Sequence, residues 1–106
     1  MNSSPKTKGN TAAALAEVAC TLEAHGVETE TVHLGADPVR DCIGCGKCQE
    51  LENACTFDDD LVNGLIRKAA AADGFVFGTP VYYAHPTGRI LSVLDRAFYA
   101  GGAAFA

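Results

Sequence analysis

The chain has 106 residues, is 48% hydrophobic and 20% charged, and carries a formal net charge of −5. That size suits one small domain, and that composition suits a packed core rather than a disordered tail. The acidic balance argues against nucleic acid as a partner, which needs a basic face, but leaves room for a small phosphate held by backbone amides. No stretch is apolar for long enough to span a membrane, and the opening residues lack the layout of a signal peptide, so the expected compartment is cytoplasmic. Thiols stay reduced there, and five cysteines then point to metal or redox chemistry. A small secreted disulfide domain is the weaker reading, because five leaves one cysteine over.

Residues 3–9 form a polar loop that runs into a helix, which Asn10 or Thr11 can cap. Leu15, Val18, Ala19 and Leu22 follow at i, i+3, i+4 and i+7, giving one apolar face, and Gly26 stops the helix. Residues 27–34 alternate apolar with polar and read as a strand, with a turn at 35–38. Beyond the cysteine stretch, Asp58, Asp59 and Asp60 sit where a first helical turn favours negative charge. Leu61, Val62, Leu65, Ile66 and Ala69 are the expected buried stripe of that second helix. Residues 75–78 are a short apolar run, as in a strand covered on both faces. A loop over 79–86 carries two tyrosines, and a third amphipathic helix fits 87–99 with Ile90, Leu91, Leu94 and Phe98 inward. Helix, strand, helix, strand, helix predicts an α/β fold with a parallel sheet.

Three stretches carry candidate chemistry. The opening loop, Asn2-Ser-Ser-Pro-Lys-Thr-Lys-Gly-Asn-Thr11, leads into a helix start whose N–H groups favour an anion such as a phosphate monoester, with Lys8 placed to help. It is neither G-x-G-x-x-G nor a P-loop, and a plain polar turn with a cap competes with this reading. The loop Gly78-Thr-Pro-Val-Tyr-Tyr-Ala-His-Pro-Thr-Gly88 lies at the carboxyl end of a predicted strand, where open α/β sheets bind ligands. Tyr82 and Tyr83 can stack on a flat ring or simply pack the loop, and His85 reads as a loop histidine. The most specific signal is Cys42-Ile-Gly-Cys45-Gly-Lys-Cys48-Gln-Glu-Leu-Glu-Asn-Ala-Cys55, spaced C-x2-C-x2-C-x6-C. Thiolates bunched this closely suit a 4Fe–4S cluster, with redox-active free thiols and zinc as alternatives. Cys20 reads as a small core residue, the Asp58–Asp60 run as helix capping rather than a metal site, and Asp95-Arg96 as a local ion pair or interface contact.

With Ser3-Ser-Pro-Lys-Thr-Lys-Gly-Asn-Thr11, the cysteine stretch, Asp58-Asp59, Gly78-Thr-Pro-Val-Tyr-Tyr83 and Leu94-Asp-Arg96 in this order, the chain resembles the NAD(P)H-dependent FMN reductases of the flavodoxin-like superfamily. The resemblance is strongest to their iron–sulfur flavoprotein branch. It implies a flavodoxin-like parallel sheet with flanking helices, and residues 1–106 as part of an FMN-binding domain. It further implies that Ser4, Lys6, Asn10 and Thr11 surround the FMN phosphate, and that Thr79, Pro80, Val81, Tyr82 and Tyr83 line the flavin ring. In the iron–sulfur branch, Cys42, Cys45, Cys48 and Cys55 would hold a 4Fe–4S cluster. NAD(P)H or another small-molecule or protein electron donor, an electron acceptor and a homo-oligomeric assembly belong to the same expectation. No side chain is marked as a catalytic acid or base.

The family pattern begins with a strand before the phosphate loop and continues past the third helix, and both lie outside this sequence. The first strand and the C-terminal strands are therefore expected to be absent. The strands at 27–34 and 75–78 would then pair directly or leave a gap, costly in buried unpaired backbone. On that expectation the chain alone binds FMN weakly or not at all and associates through open edges. A non-catalytic electron-transfer module, a zinc-stabilised binding module and an inactive fragment are the rival readings.

Overall fold

The computed structural model describes residues 1–105. They fall into two units: Met1–Asp37 with Val76–Thr87, and Pro38–Phe75 with the chain from Gly88 onward.

In the first unit, helix α1 spans Asn10–Ala24. Asn10 is its first helical residue, and the N-cap is Gly9, which offers no side-chain cap. The expected capping by Asn10 or Thr11 is therefore corrected: the extended Gly9 backbone enters the helix one residue earlier, and its carbonyl accepts the Ala13 N–H at 3.1 Å. The helix ends as Gly26 suggests, with Gly26 N–H donating to Glu23 O and Val27 N–H to Leu22 O, both at 3.0 Å. Of the predicted apolar face, Leu15 is buried, Ala19 and Leu22 are half-buried, and Val18 is exposed. Leu15 seals against Gly78, where an added Cβ would stand 2.6 Å from Leu15 Cδ1 and 3.0 Å from Thr11 Cγ2. Cys20, expected in the core, is exposed, because this face of α1 turns little beyond Leu15 inward.

The opening residues take the place of a middle strand. Asn2 N–H donates to Val32 O at 2.7 Å, and Leu34 N–H donates to Asn2 O at 2.9 Å. On the other side, Gly78 N–H donates to Met1 O at 2.8 Å and Ser3 N–H to Gly78 O at 2.9 Å. Asn2 thus forms parallel bridges to both His33 and Gly78. This corrects the expectation of direct pairing or an empty gap between 27–34 and 75–78. It also shortens the two predicted strands to single bridges, since a strand persists only where a neighbour supplies its hydrogen bonds. Val76 and Phe77 are exposed rather than covered on both faces.

The predicted loop after Gly78 is instead an antiparallel hairpin, β1 (Val81–Tyr82) with β2 (His85–Pro86), pairing Val81 with Pro86 and Tyr82 with His85. Its turn residues Tyr83 and Ala84 have φ of 50° and 65°. Two left-handed residues give the turn a twist that matches the paired strands.

In the second unit, helices α2 (Val62–Ala70) and α3 (Gly88–Gly101) pack together. Short 3₁₀ turns lie at Lys47–Glu50 and Gly102–Phe105. Val62, Leu65 and Ile66 are buried as predicted for α2. Asp60 lies just before the helix and accepts the Val62 N–H at 3.0 Å, so one aspartate caps while none occupies the first turn. The inward face of α3 is Ile90, Val93, Arg96 and Ala97; Leu91 and Phe98 are exposed and Leu94 is half-buried. The face is rotated from the expected one because it accommodates Arg96. Phe98 instead meets Phe75 and Phe105 edge to face, with ring centroids 6.3 and 5.5 Å away. Among the described residues, no helix is long and apolar enough to cross a membrane.

Candidate functional site

Met1–Ser3 and the 76–78 segment run parallel as hydrogen-bonded neighbours. The loops that follow them therefore leave from the same edge of this small sheet. The first loop folds back on itself: Ser4 N–H donates to Asn2 Oδ1 at 2.9 Å, and Lys6 N–H donates to Ser4 Oγ at 3.2 Å. Lys6 then lies against the helix N-cap, with its Cβ 3.3 Å from where a Gly9 Cβ would be. Ser4 is buried, Thr11 half-buried, and Lys6 and Asn10 exposed. Asn2 is 0% exposed, and its Nδ2 has no hydrogen-bond partner. The uncapped end of α1 leaves N–H donors and a positive dipole beside this loop, which also carries the exposed Lys6. That chemistry fits a phosphate monoester.

On the second loop, Thr79 Oγ1 donates to Pro80 O at 2.9 Å and accepts the Thr87 N–H at 3.0 Å, closing the base of the hairpin. Thr79 and Pro80 are half-buried. Val81, Tyr82 and Tyr83 are 72%, 50% and 98% exposed. These side chains stand clear of the protein's own core, as a surface meant to cover a flat apolar ring would. His85 Nδ1 bonds the carbonyl of neighbouring Pro86, the local role expected of a loop histidine.

The second unit holds the cysteines. Cys42, Cys45, Cys48 and Cys55 line one open pocket, together with Phe57, Arg96 and Tyr99. All four are free thiols. Gly44 and Gly46 take φ of 64° and 71°, a left-handed curl that brings successive cysteines to one side. Gly44 N–H donates to Cys42 Sγ at 3.5 Å. Cys55 is the most firmly held. Its N–H donates to Asn63 Oδ1 at 2.8 Å, and its carbonyl accepts Asn63 Nδ2 at 2.9 Å. Its Sγ accepts Arg96 Nε at 3.4 Å.

Arg96 also forms an end-on ion pair with Asp60. Burial opposes charge on both partners. The hydrogen bond between them, helped by the Val62 N–H, still holds the Asp60 carboxyl below its ordinary range, and the bonds to Asp60 and Cys55 hold the guanidinium above its own. Neither Arg96 nor Asn63 was marked as part of this site by the sequence. The available signal was positional, since each polar residue interrupts the buried stripe of an amphipathic helix.

The chemistry of the donor set fits an iron–sulfur cluster: four soft thiols line one pocket, and two of the sulfurs already accept N–H bonds. Among the described residues, no three His, Cys, Asp or Glu side chains gather as the ligands of one metal ion do.

The parallel bridging through Asn2, with helices joining the bridged segments and loops gathered at one edge, defines an incomplete α/β domain of the flavodoxin-like kind. The profile of the NADPH-dependent FMN reductases matches residues 1–106, and the chain belongs to that family. It is 33% identical over 97 residues to an iron–sulfur flavoprotein of Methanocaldococcus jannaschii, covering 92% of this chain and 49% of that one. It is 34% identical over 97 residues to an iron–sulfur flavoprotein of Archaeoglobus fulgidus, covering 92% and 46%. A third iron–sulfur flavoprotein, from Methanosarcina thermophila, is 33% identical over 72 residues, covering 68% and 37%. The chain thus spans about half the length, or less, of these relatives. No solved structure matches it significantly. The family and branch inferred from the residues both stand.

Proposed function

We propose that this chain is part of the FMN-binding domain of a flavoprotein oxidoreductase that moves electrons between NAD(P)H, or another small donor, and a redox partner through FMN and a 4Fe–4S cluster. The observation that carries the flavin is the shared sheet edge: Ser3 N–H bonds Gly78 O, so the donor-rich opening loop and the exposed tyrosine hairpin leave from adjacent parallel segments. Ser4, Lys6, Asn10 and Thr11 would hold the phosphate. Thr79 and Pro80 would fix the hairpin base, and Val81, Tyr82 and Tyr83 would cover the ring. Cys42, Cys45, Cys48 and Cys55 would ligate the cluster through their thiolates. When bound, the flavin supplies hydride acceptance and one-electron release, and the cluster supplies one-electron steps; the chain's own residues supply position, electrostatics and exclusion of water. Self-association would cover the exposed Val76, Phe77 and Val81 side chains.

The test is an anaerobic absorption spectrum of the full-length protein, with flavin, iron and acid-labile sulfide measured on the same sample. NAD(P)H oxidation is then followed with added FMN and an artificial acceptor. Bound flavin with iron and sulfide in equal amounts, and turnover with a nicotinamide, is the expected result. Zinc without sulfide would replace the cluster by a structural clasp. No flavin binding at any concentration would remove the oxidoreductase reading itself.

A further inference from the structure

Arg96 is only 1% exposed in the middle of α3, and every N–H of its guanidinium has an acceptor. Nε donates to Cys55 Sγ at 3.4 Å. Nη1 donates to Arg40 O at 3.2 Å and to Asp60 Oδ2. Nη2 donates to Phe57 O at 2.8 Å and to Asp60 Oδ1 at 3.2 Å. Two of these acceptors flank the cysteine stretch: Arg40 precedes Cys42 by two residues and Phe57 follows Cys55 by two. One helix side chain therefore ties together the two ends of the segment that carries the four thiols. Asp60 takes the end of the guanidinium, so the Nε edge is the positive end of the pair, and that edge faces a cysteine sulfur.

We propose that Arg96 is a positioning residue that sets the electron affinity of the group bound by the cysteines, by clasping residues 40–57 and donating Nε–H to the sulfur of Cys55. This rests on the reading that those cysteines hold an iron–sulfur cluster. Reduction adds one electron and makes the cluster more negative; no bond to the protein forms or breaks. A hydrogen bond to a ligating sulfur, and a dipole with its positive end at that sulfur, favour the more negative state and so raise the reduction potential. The bond is made by the same side chain that orders the loop, so position and potential change together. Asn63 holds the backbone of Cys55 but not its sulfur, which leaves the electronic role at Cys55 to Arg96.

The test compares the full chain with its Arg96→Gln and Arg96→Lys variants. Each is reconstituted anaerobically with iron and sulfide, assayed for both, and titrated with dithionite while the cluster is followed by electron paramagnetic resonance. Hydrogen exchange over residues 40–57 is measured by mass spectrometry on the iron-free chains. Arg96→Gln is expected to speed exchange in that segment and to move the midpoint to more negative potential. Arg96→Lys keeps the charge for Asp60 but lacks the fork and the Nε–H, so it moves the midpoint in the same direction by less, and carries the test if the glutamine variant does not fold. Variants that hold wild-type iron and sulfide and titrate at the wild-type midpoint, or at a more positive one, overturn the proposal. Wild-type exchange in both variants overturns the clasp without reference to the cluster. A wild-type chain that takes up no cluster sinks the underlying reading, and the potential-setting role with it.

Discussion

At the scale of single residues, two close contacts set testable limits. Gly78 sits under Leu15 with no room for a Cβ, which would stand 2.6 Å from Leu15 Cδ1. Gly78→Ala must push α1 away from the bridged segment or strain the backbone at the sheet edge. The expected cost is about 1–3 kcal/mol, read as a lower urea midpoint with an unchanged slope. The Asp60–Arg96 pair sets a pH dependence. Because the folded carboxyl titrates below its ordinary value, the unfolded chain binds this proton first as pH falls. The pair's contribution is therefore fully present above the ordinary carboxylate range, roughly pH 4, and is lost as pH drops through the lower folded value. Asp60→Asn should flatten the acid limb of a stability–pH curve; an identical limb in the variant would remove Asp60 as its source.

At the scale of elements, α2 and α3 share a task besides forming a core. Each interrupts its buried stripe with one polar residue, Asn63 or Arg96, and each uses it to hold Cys55. Asn63 satisfies both backbone groups of Cys55 from one side-chain amide. Asn63→Ala would orphan those groups in a partly buried site. A loss of about 1–3 kcal/mol is expected, visible by thermal denaturation, together with weaker retention of any metal at the cysteines. The hairpin carries strain of a different kind. Tyr83 and Ala84 occupy left-handed backbone without being glycine, at roughly 1–2 kcal/mol per residue before compensation. Ala84→Gly should relieve part of this and raise stability by up to about 1 kcal/mol. A fall in the denaturation midpoint would show the turn to be unstrained.

At the scale of the whole molecule, the cysteines divide by place rather than by spacing alone. Cys42, Cys45, Cys48 and Cys55 surround one pocket, while Cys20 lies exposed on α1. Replacing any of the four with serine should lower the iron and sulfide retained after reconstitution, whereas Cys20→Ser should leave both unchanged. Equal loss from Cys20→Ser would detach iron binding from this pocket. Flavin binding has its own global readout. A ligand that binds only the folded chain, supplied at a hundredfold excess over its dissociation constant, adds about 2.7 kcal/mol to stability. Thermal melts of the full-length protein should therefore rise with FMN, and a melt insensitive to FMN would count against a cradle at the sheet edge.

Much of this was legible in the residues because it is local. The start region and end of α1, the buried stripe of α2, and the grouping of Cys42 to Cys55 follow from periodicity, a glycine stop and thiol spacing, all of which act over a few neighbours in the chain. The family, too, could be read from ordered motifs. Tertiary structure alone decided the rest, because it depends on partners distant in sequence. Asn2 became the middle of a parallel arrangement only by meeting His33 and Gly78. The predicted strands shrank to bridges for want of further neighbours. Arg96 turned inward because Asp60, Cys55 and the two carbonyls that flank the cysteine segment were there to match all of its donors. A buried charge is favourable only when such partners converge on it, and no count of residues along the chain reveals that convergence.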